Sequence, residues 1–163
     1  MQKQLLNEIL NLVSEYVKQK NKEENDWKEG DWVKYSGPIL DENEYKEAIR
    51  TLLSGWLIYG ENARKFELEF AKELGKKFGV LTNSGSSANL LMVSTLTSKD
   101  KRLAKYHLPR GSKFITPVVC FPTTLNPIIQ NGYEPVFVDV TLPDLNLDLD
   151  QVEKKLEEDP EIK

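Results

Sequence analysis

Cysteine and histidine are nearly missing from this sequence, with one of each in 163 residues: Cys120 and His107. A single cysteine excludes an internal disulfide, and together the two cannot furnish the Cys/His set of a metal site. Disulfide-free chains fit a reducing compartment, so a cytoplasmic location is expected. Positive charge is also in short supply. Lysine and arginine number 22 against 26 aspartates and glutamates, leaving a net charge of −4 and a pI near 5.2. Nucleic acids and anionic membrane surfaces select basic faces, so neither is expected as a partner. No apolar run approaches the roughly 18 residues of a membrane-spanning helix. The N-terminal MQKQLLNEILNLVSEY lacks the charged, apolar, small-residue order of a secretory leader. Internal repeats and low-complexity tracts are absent as well.

What remains has the balance of a globular chain, 39% hydrophobic and 29% charged, and is long enough to bury a core. Leu5, Ile9, Leu12, Val13 and Tyr16 recur at helical spacing, predicting an amphipathic helix over 4–17. The charged KQKNKEENDWKEGDW (18–32) reads as a linker or solvated surface. Asp41 followed by Glu44 forms a capping-box pattern for a helix with Tyr45, Ala48, Ile49, Leu52 and Leu53 on one face, ending near Gly55. A further helix is expected over 62–78, stopped by Gly75 or Gly79.

From there the pattern alternates. VLT (80–82), KFITPVV (113–119) and PVFVDV (135–140) read as strands. The helices between and after them are 88–96, the short FPTTLNPIIQNG (121–132), and a charged one capped by Asp148 or Asp150. Pro127 is tolerable if it falls in or near the first helical turn. This order predicts an α/β fold with a parallel sheet.

Two places in the pattern can carry chemistry. Asn83-Ser84-Gly85-Ser86-Ser87 lies between an apolar strand and a helix. A helix start leaves backbone N–H groups unpaired at the positive end of the dipole, and small residues let an anion approach. Gly85-Ser86-Ser87 is therefore either a phosphate cradle or a capped turn. It has neither the spacing nor the lysine of a P-loop. Phe121 follows a strand at its C-terminal end, where open α/β sheets bind ligands. It reads either as a ring that stacks on a flat cofactor or as a core residue. Asp139 is a site carboxylate or a strand-end cap, and His107 reads as a solvated loop residue.

Three segments in sequence bear a family likeness: GWLIYGENARKFELEFAKELGKKFGV (55–80), TNSGSSANLLMVSTLTS (82–98) and FPTTLNPIIQNGYEPVFVDV (121–140). Their wording and spacing resemble the DegT/DnrJ/EryC1/StrS family of pyridoxal-phosphate (PLP) sugar aminotransferases. GSSANLL followed by FPTTLNPIIQNG is similar to the RfbH-like branch, the nucleotide-sugar (CDP-4-keto-6-deoxy-glucose type) 3-dehydratases of O-antigen and lipopolysaccharide dideoxysugar synthesis. The resemblance implies the N-terminal part of a fold type I large domain, a three-layer α/β/α arrangement with a mostly parallel sheet and N-terminal helices. It divides the chain into 1–40, a helix with a charged linker, and 41–163, the first part of the PLP-binding domain.

The resemblance also implies a site. Gly85, Ser86 and Ser87 match the family's phosphate loop, and Phe121 matches its ring-stacking aromatic. Pyridoxal phosphate or pyridoxamine phosphate is the implied cofactor, and a nucleotide-activated 4-keto-6-deoxy sugar the implied substrate. A second copy of the chain is the implied partner, with an iron–sulfur reductase in some members. The family's base or Schiff-base lysine, and the carboxylate facing the pyridine nitrogen, come later in the family than residue 163. His107 precedes Phe121 and does not match that base, so the chain by itself is expected to be a partial, inactive front half. Tyr59 stands where a smaller polar residue is usual, and RGSKF (110–114) replaces a more acidic turn. An aminotransferase of the same family and a non-catalytic phosphate-binding or dimerisation module are the alternative readings.

Overall fold

A computed structural model describes residues 1–24, 27–33 and 36–162. The chain divides into two compact units, Met1–Lys77 and Phe78 onward. The first is helical. Helix α1 (Gln2–Glu24) runs seven residues past the expected end at 17. Its continuation, KQKNKEE, contains good helix formers and neither proline nor glycine. Gln19 donates to Glu23 one turn on (3.0 Å), Lys18 pairs with Glu42 (2.9 Å), and the Asn21 amide donates to the Leu40 carbonyl (2.8 Å). The charge run therefore begins as a helix face rather than a linker. Residues 25 and 26 of that run lie outside the described residues.

Helix α2 (Glu42–Leu53) has the expected capping box. The Asp41 carboxylate accepts from the Asn43 amide at 2.6 Å, and the Asp41 amide donates to Glu44 at 2.7 Å. Helix α3 (Glu61–Glu73) ends in a Schellman turn at Gly75, whose φ of +64° suits glycine. There the Lys76 amide reaches the Ala71 carbonyl and the Gly75 amide reaches Lys72.

The second unit holds the sheet. Helix α4 (Gly85–Thr95) leads through a 3₁₀ turn at Lys101–Tyr106 to β1 (Lys113–Pro117), α5 (Pro122–Gln130), β2 (Glu134–Val138) and α6 (Leu149–Glu158). Strands β1 and β2 are parallel, with Lys113 opposite Glu134 and Pro117 opposite Val138, and α5 forms their crossover. Ile162 makes a parallel bridge to Lys113 on the other edge of β1. The two longer expected strands are thus present. The third, VLT (80–82), does not take up strand structure, and Val80 is 73% exposed. An apolar run becomes a strand only where a neighbour supplies the ladder.

The core of this unit is small: Val93 of α4, Ile128 of α5 and Tyr133, with Leu96, Leu108 and Phe114 against them. Tyr133 reaches it because α5 ends in a second Schellman turn at Gly132 (φ +75°), in which the Tyr133 amide bonds to the Ile128 carbonyl. The Tyr133 ring lies 4.7 Å from that of Phe114, and its hydroxyl donates to the Leu108 carbonyl at 3.1 Å. Burial pushes the phenol above its ordinary pKa. His107 is half-buried, with Nδ1 3.0 Å from the Ser98 carbonyl, so it is a local brace of the loop rather than a free solvated ring.

Two outcomes follow from this packing. The Thr116 hydroxyl in β1 is 2% exposed and has no hydrogen-bond partner among the described residues. Thr116→Val removes that orphan at nearly equal volume, and urea denaturation should show about 1 kcal/mol of added stability. Lys113 and Asp159 pair at 2.6 Å, tying β1 to the end of α6. The lysine's hydrogen bond holds the Asp159 carboxyl below its ordinary value. The pair therefore contributes in full above the usual carboxylate range and is lost as pH falls through the lowered value. Thermal melts of the chain and of Asp159→Asn should differ at pH 7 and converge near pH 2.

Candidate functional site

Helix α4 starts three residues earlier than the sequence pattern indicated, at Gly85 instead of Ala88, and this places the serines inside its first turn. Ser84 is the N-cap, in extended backbone (φ −162°, ψ 160°). Its hydroxyl oxygen accepts from the Ser87 amide at 3.1 Å, and the same hydroxyl donates to Ser87 Oγ at 3.2 Å. The Ser84 carbonyl takes the Ala88 amide (3.0 Å) and the Thr82 hydroxyl (2.9 Å). The cap thus consumes one of the free amides of the first turn. The amides of Gly85 and Ser86 keep no partner among the described residues, and Ser86 is exposed. Ser87 is half-buried with its hydroxyl proton free, since its oxygen is the acceptor in the bond from Ser84.

Gly85 has no positive φ, and a Cβ built on it would meet nothing within 4 Å. The backbone fold does not require glycine there. What the missing side chain leaves open is the approach to the two unpaired amides. Two aligned N–H donors, two hydroxyls and the positive end of an eleven-residue helix suit a phosphate.

Phe121 is the N-cap of α5 and lies just beyond the C-terminal end of β1, with Pro122 at the first helical position. Its ring is 61% exposed, so it is not a core residue. The first turn of α5 and the second turn of α4 are joined directly: the Asn89 side-chain amide donates to the Thr123 carbonyl at 3.3 Å. Asn89 is four residues after Gly85, and Thr123 is two after Phe121. The helix starts that carry the serine turn and Phe121 therefore belong to one packed helix pair.

Asn89 and Ser84 were not singled out by the sequence pattern. For Ser84 the signal was its position one residue before a glycine that opens a helix. For Asn89 there was none within its own segment, because its partner lies 34 residues away. Asp139 is a strand-end cap: its carboxylate accepts from the Val140 amide at 2.8 Å. Tyr59, in the other unit, donates to Glu67, and that bond raises its phenol pKa. Among the described residues no three His, Cys, Asp or Glu side chains are grouped to hold a metal ion. No helix among them is long and apolar enough to cross a membrane.

The parallel strand–helix–strand unit and the small-residue helix start before it are consistent with the N-terminal portion of the PLP-dependent aminotransferase fold, to which the solved neighbours belong. The structure aligns with the GDP-4-keto-6-deoxy-D-mannose-3-dehydratase of E. coli, solved with bound hydrated PLP, at a TM-score of 0.64 and 35% identity, over 73% of this chain and 30% of that one. In sequence, the profile of the DegT/DnrJ/EryC1/StrS aminotransferase family matches residues 38–161, and the chain belongs to that family. It is 44% identical over 126 residues to the dTDP-4-dehydro-2,6-dideoxy-D-glucose 3-dehydratase of Saccharopolyspora spinosa (77% of this chain, 27% of that protein). It is 42% identical over 127 residues to the lipopolysaccharide biosynthesis protein RfbH of Salmonella typhimurium (76% and 28%). The chain thus spans between 27% and 30% of the length of these relatives.

The division of labour in the serine turn is open to measurement. Ser84→Ala removes the cap and should cost about 1 kcal/mol in urea denaturation. Gly85→Ala should leave stability within about 0.5 kcal/mol, as substitutions into open space do.

Proposed function

We propose that this chain forms the phosphate-binding and ring-stacking part of a PLP- or pyridoxamine-phosphate-dependent nucleotide-sugar 3-dehydratase. The substrate class is a nucleotide-activated 4-keto-6-deoxyhexose, which loses its 3-hydroxyl in the synthesis of O-antigen or lipopolysaccharide dideoxysugars. The observation that carries this reading is the pairing of two unpaired amides at the start of α4 with the exposed Phe121 ring, joined through Asn89, in the stretch shared with the 3-dehydratases.

In this reading the Gly85 and Ser86 amides and the Ser86 and Ser87 hydroxyls donate to the phosphate. Ser84 holds Ser87 in place by taking its amide. A hydrogen bond to a charged group contributes about 1.5–3 kcal/mol, so two or three of them anchor one end of the cofactor. The Phe121 ring covers one face of the pyridine and keeps water from it. The bound cofactor supplies an electron sink for loss of the sugar hydroxyl, while the protein supplies position and electrostatics. The residue acting on the reactive face belongs to the part of the family sequence beyond this stretch. A second copy of the chain completing the site, an iron–sulfur reductase and a cytoplasmic location belong to the same proposal. The family's description as aminotransferases keeps one second reading, a sugar aminotransferase with the same phosphate end.

Pyridoxamine 5′-phosphate is the suitable probe, since it cannot condense with surface lysines as PLP does. Free, it is achiral; held in the site, it should show circular dichroism in its own absorption band. The signal should saturate, and Ser86→Ala with Phe121→Ala should weaken binding at least tenfold, about 1.4 kcal/mol. Equal binding of unphosphorylated pyridoxamine, or an unaffected double variant, would overturn the assignment.

A further inference from the structure

Pro127 sits at the sixth position of α5, well inside the helix rather than in its first turn. A proline there has no N–H to give to the carbonyl four residues earlier, and its ring presses that carbonyl away from the helix axis. The carbonyl in question is that of Thr123. It is the one that accepts the Asn89 side-chain amide from α4, at 3.3 Å. An interior proline thus frees an acceptor, and the neighbouring helix supplies the donor. Pro127 itself is buried, as is Ile128 beside it, so the two helices meet face to face around this bond.

We propose that Asn89 is a positioning residue. Using the carbonyl that Pro127 releases, it sets the spacing between the phosphate-binding turn of α4 and the Phe121 ring at the start of α5. This rests on the function proposed above. The cofactor is a rigid plate with its phosphate at one margin. Its phosphate meets the amides of Gly85 and Ser86 and its ring meets Phe121 at the same time only if α4 and α5 keep one offset. Sites of this kind tolerate about 0.5 Å of slack. The apolar contact between α4 and α5 is non-directional and permits sliding. The Asn89 bond is directional, lies one turn from Gly85 and two residues from Phe121, and so fixes the offset where it matters.

Removing Pro127 separates a positioning role from a purely structural one. In Asn89→Ala the Thr123 carbonyl is orphaned. The melting temperature should fall by a few degrees, and the affinity for pyridoxamine 5′-phosphate should fall about tenfold with loss of its induced circular dichroism. In Asn89→Ala with Pro127→Ala, residue 127 regains an N–H and Thr123 an intrahelical partner, so the melting temperature should recover. The tether stays absent, so affinity and dichroism should remain impaired. Recovery of binding together with stability would overturn the inference and leave Asn89 a structural donor only. Unchanged binding in Asn89→Ala alone would do the same. If the unaltered chain shows no saturable signal, the proposed function itself fails, and the positioning role with it.

Discussion

Tyr133 is buried against Val93 and Ile128, and through that contact α4, α5 and β1 come to share one core. It depends on a backbone event: only a residue at ease with positive φ at 132 can turn the chain so that the next side chain folds back under α5. The Tyr133 ring then meets Phe114 of β1, and its hydroxyl fixes the loop at Leu108. Among the described residues, Val93 is the buried side chain of α4, and it lies in this cluster. The orientation of the serine turn relative to the sheet follows from this cluster and from the Asn89 bond.

Local chemistry was legible in the sequence. The Asp41–Glu44 box, the glycine stops near 55 and at 75 or 79, the short helix over 121–132 and the two strands flanking it all depend on residues within a few positions of one another. Nonlocal features were not. The apolar VLT run cannot be told from a strand by its own residues, because a strand needs a ladder that a distant segment supplies. The tail of α1 looked like a linker because charge density hid its helix propensity; its anchors, Glu42 and Leu40, lie about twenty residues on. Pro127 looked acceptable only near a helix start, because the donor that compensates for it sits on a different helix.

The opposition between a capped turn and an anion cradle dissolves at Ser84–Ser87. A helix start has several free amides, and a cap satisfies one of them. Ser84 takes that of Ser87 and by doing so holds the first turn closed, while the Gly85 and Ser86 amides have no partner among the described residues. A cap of this kind is compatible with the proposed anion site and does not compete with it. For Phe121, exposure sets it outside the small core, a quantity the sequence pattern does not contain, and its ligand-facing role stays a proposal.

The two edges of the small sheet are not equivalent. In β2 the Glu134 amide and the Val138 carbonyl point toward β1, accepted by Ser112 and taking the Val118 amide. Strand alternation therefore turns the backbone of residue 135 outward, and residue 135 is proline. On that side the ladder lacks a donor where a further strand would begin, which is how edge strands resist recruitment. On the far side of β1 the backbone does accept a neighbour, Ile162. The two edges thus differ by one backbone donor, missing at Pro135 beside β2, while the far side of β1 already takes a neighbour.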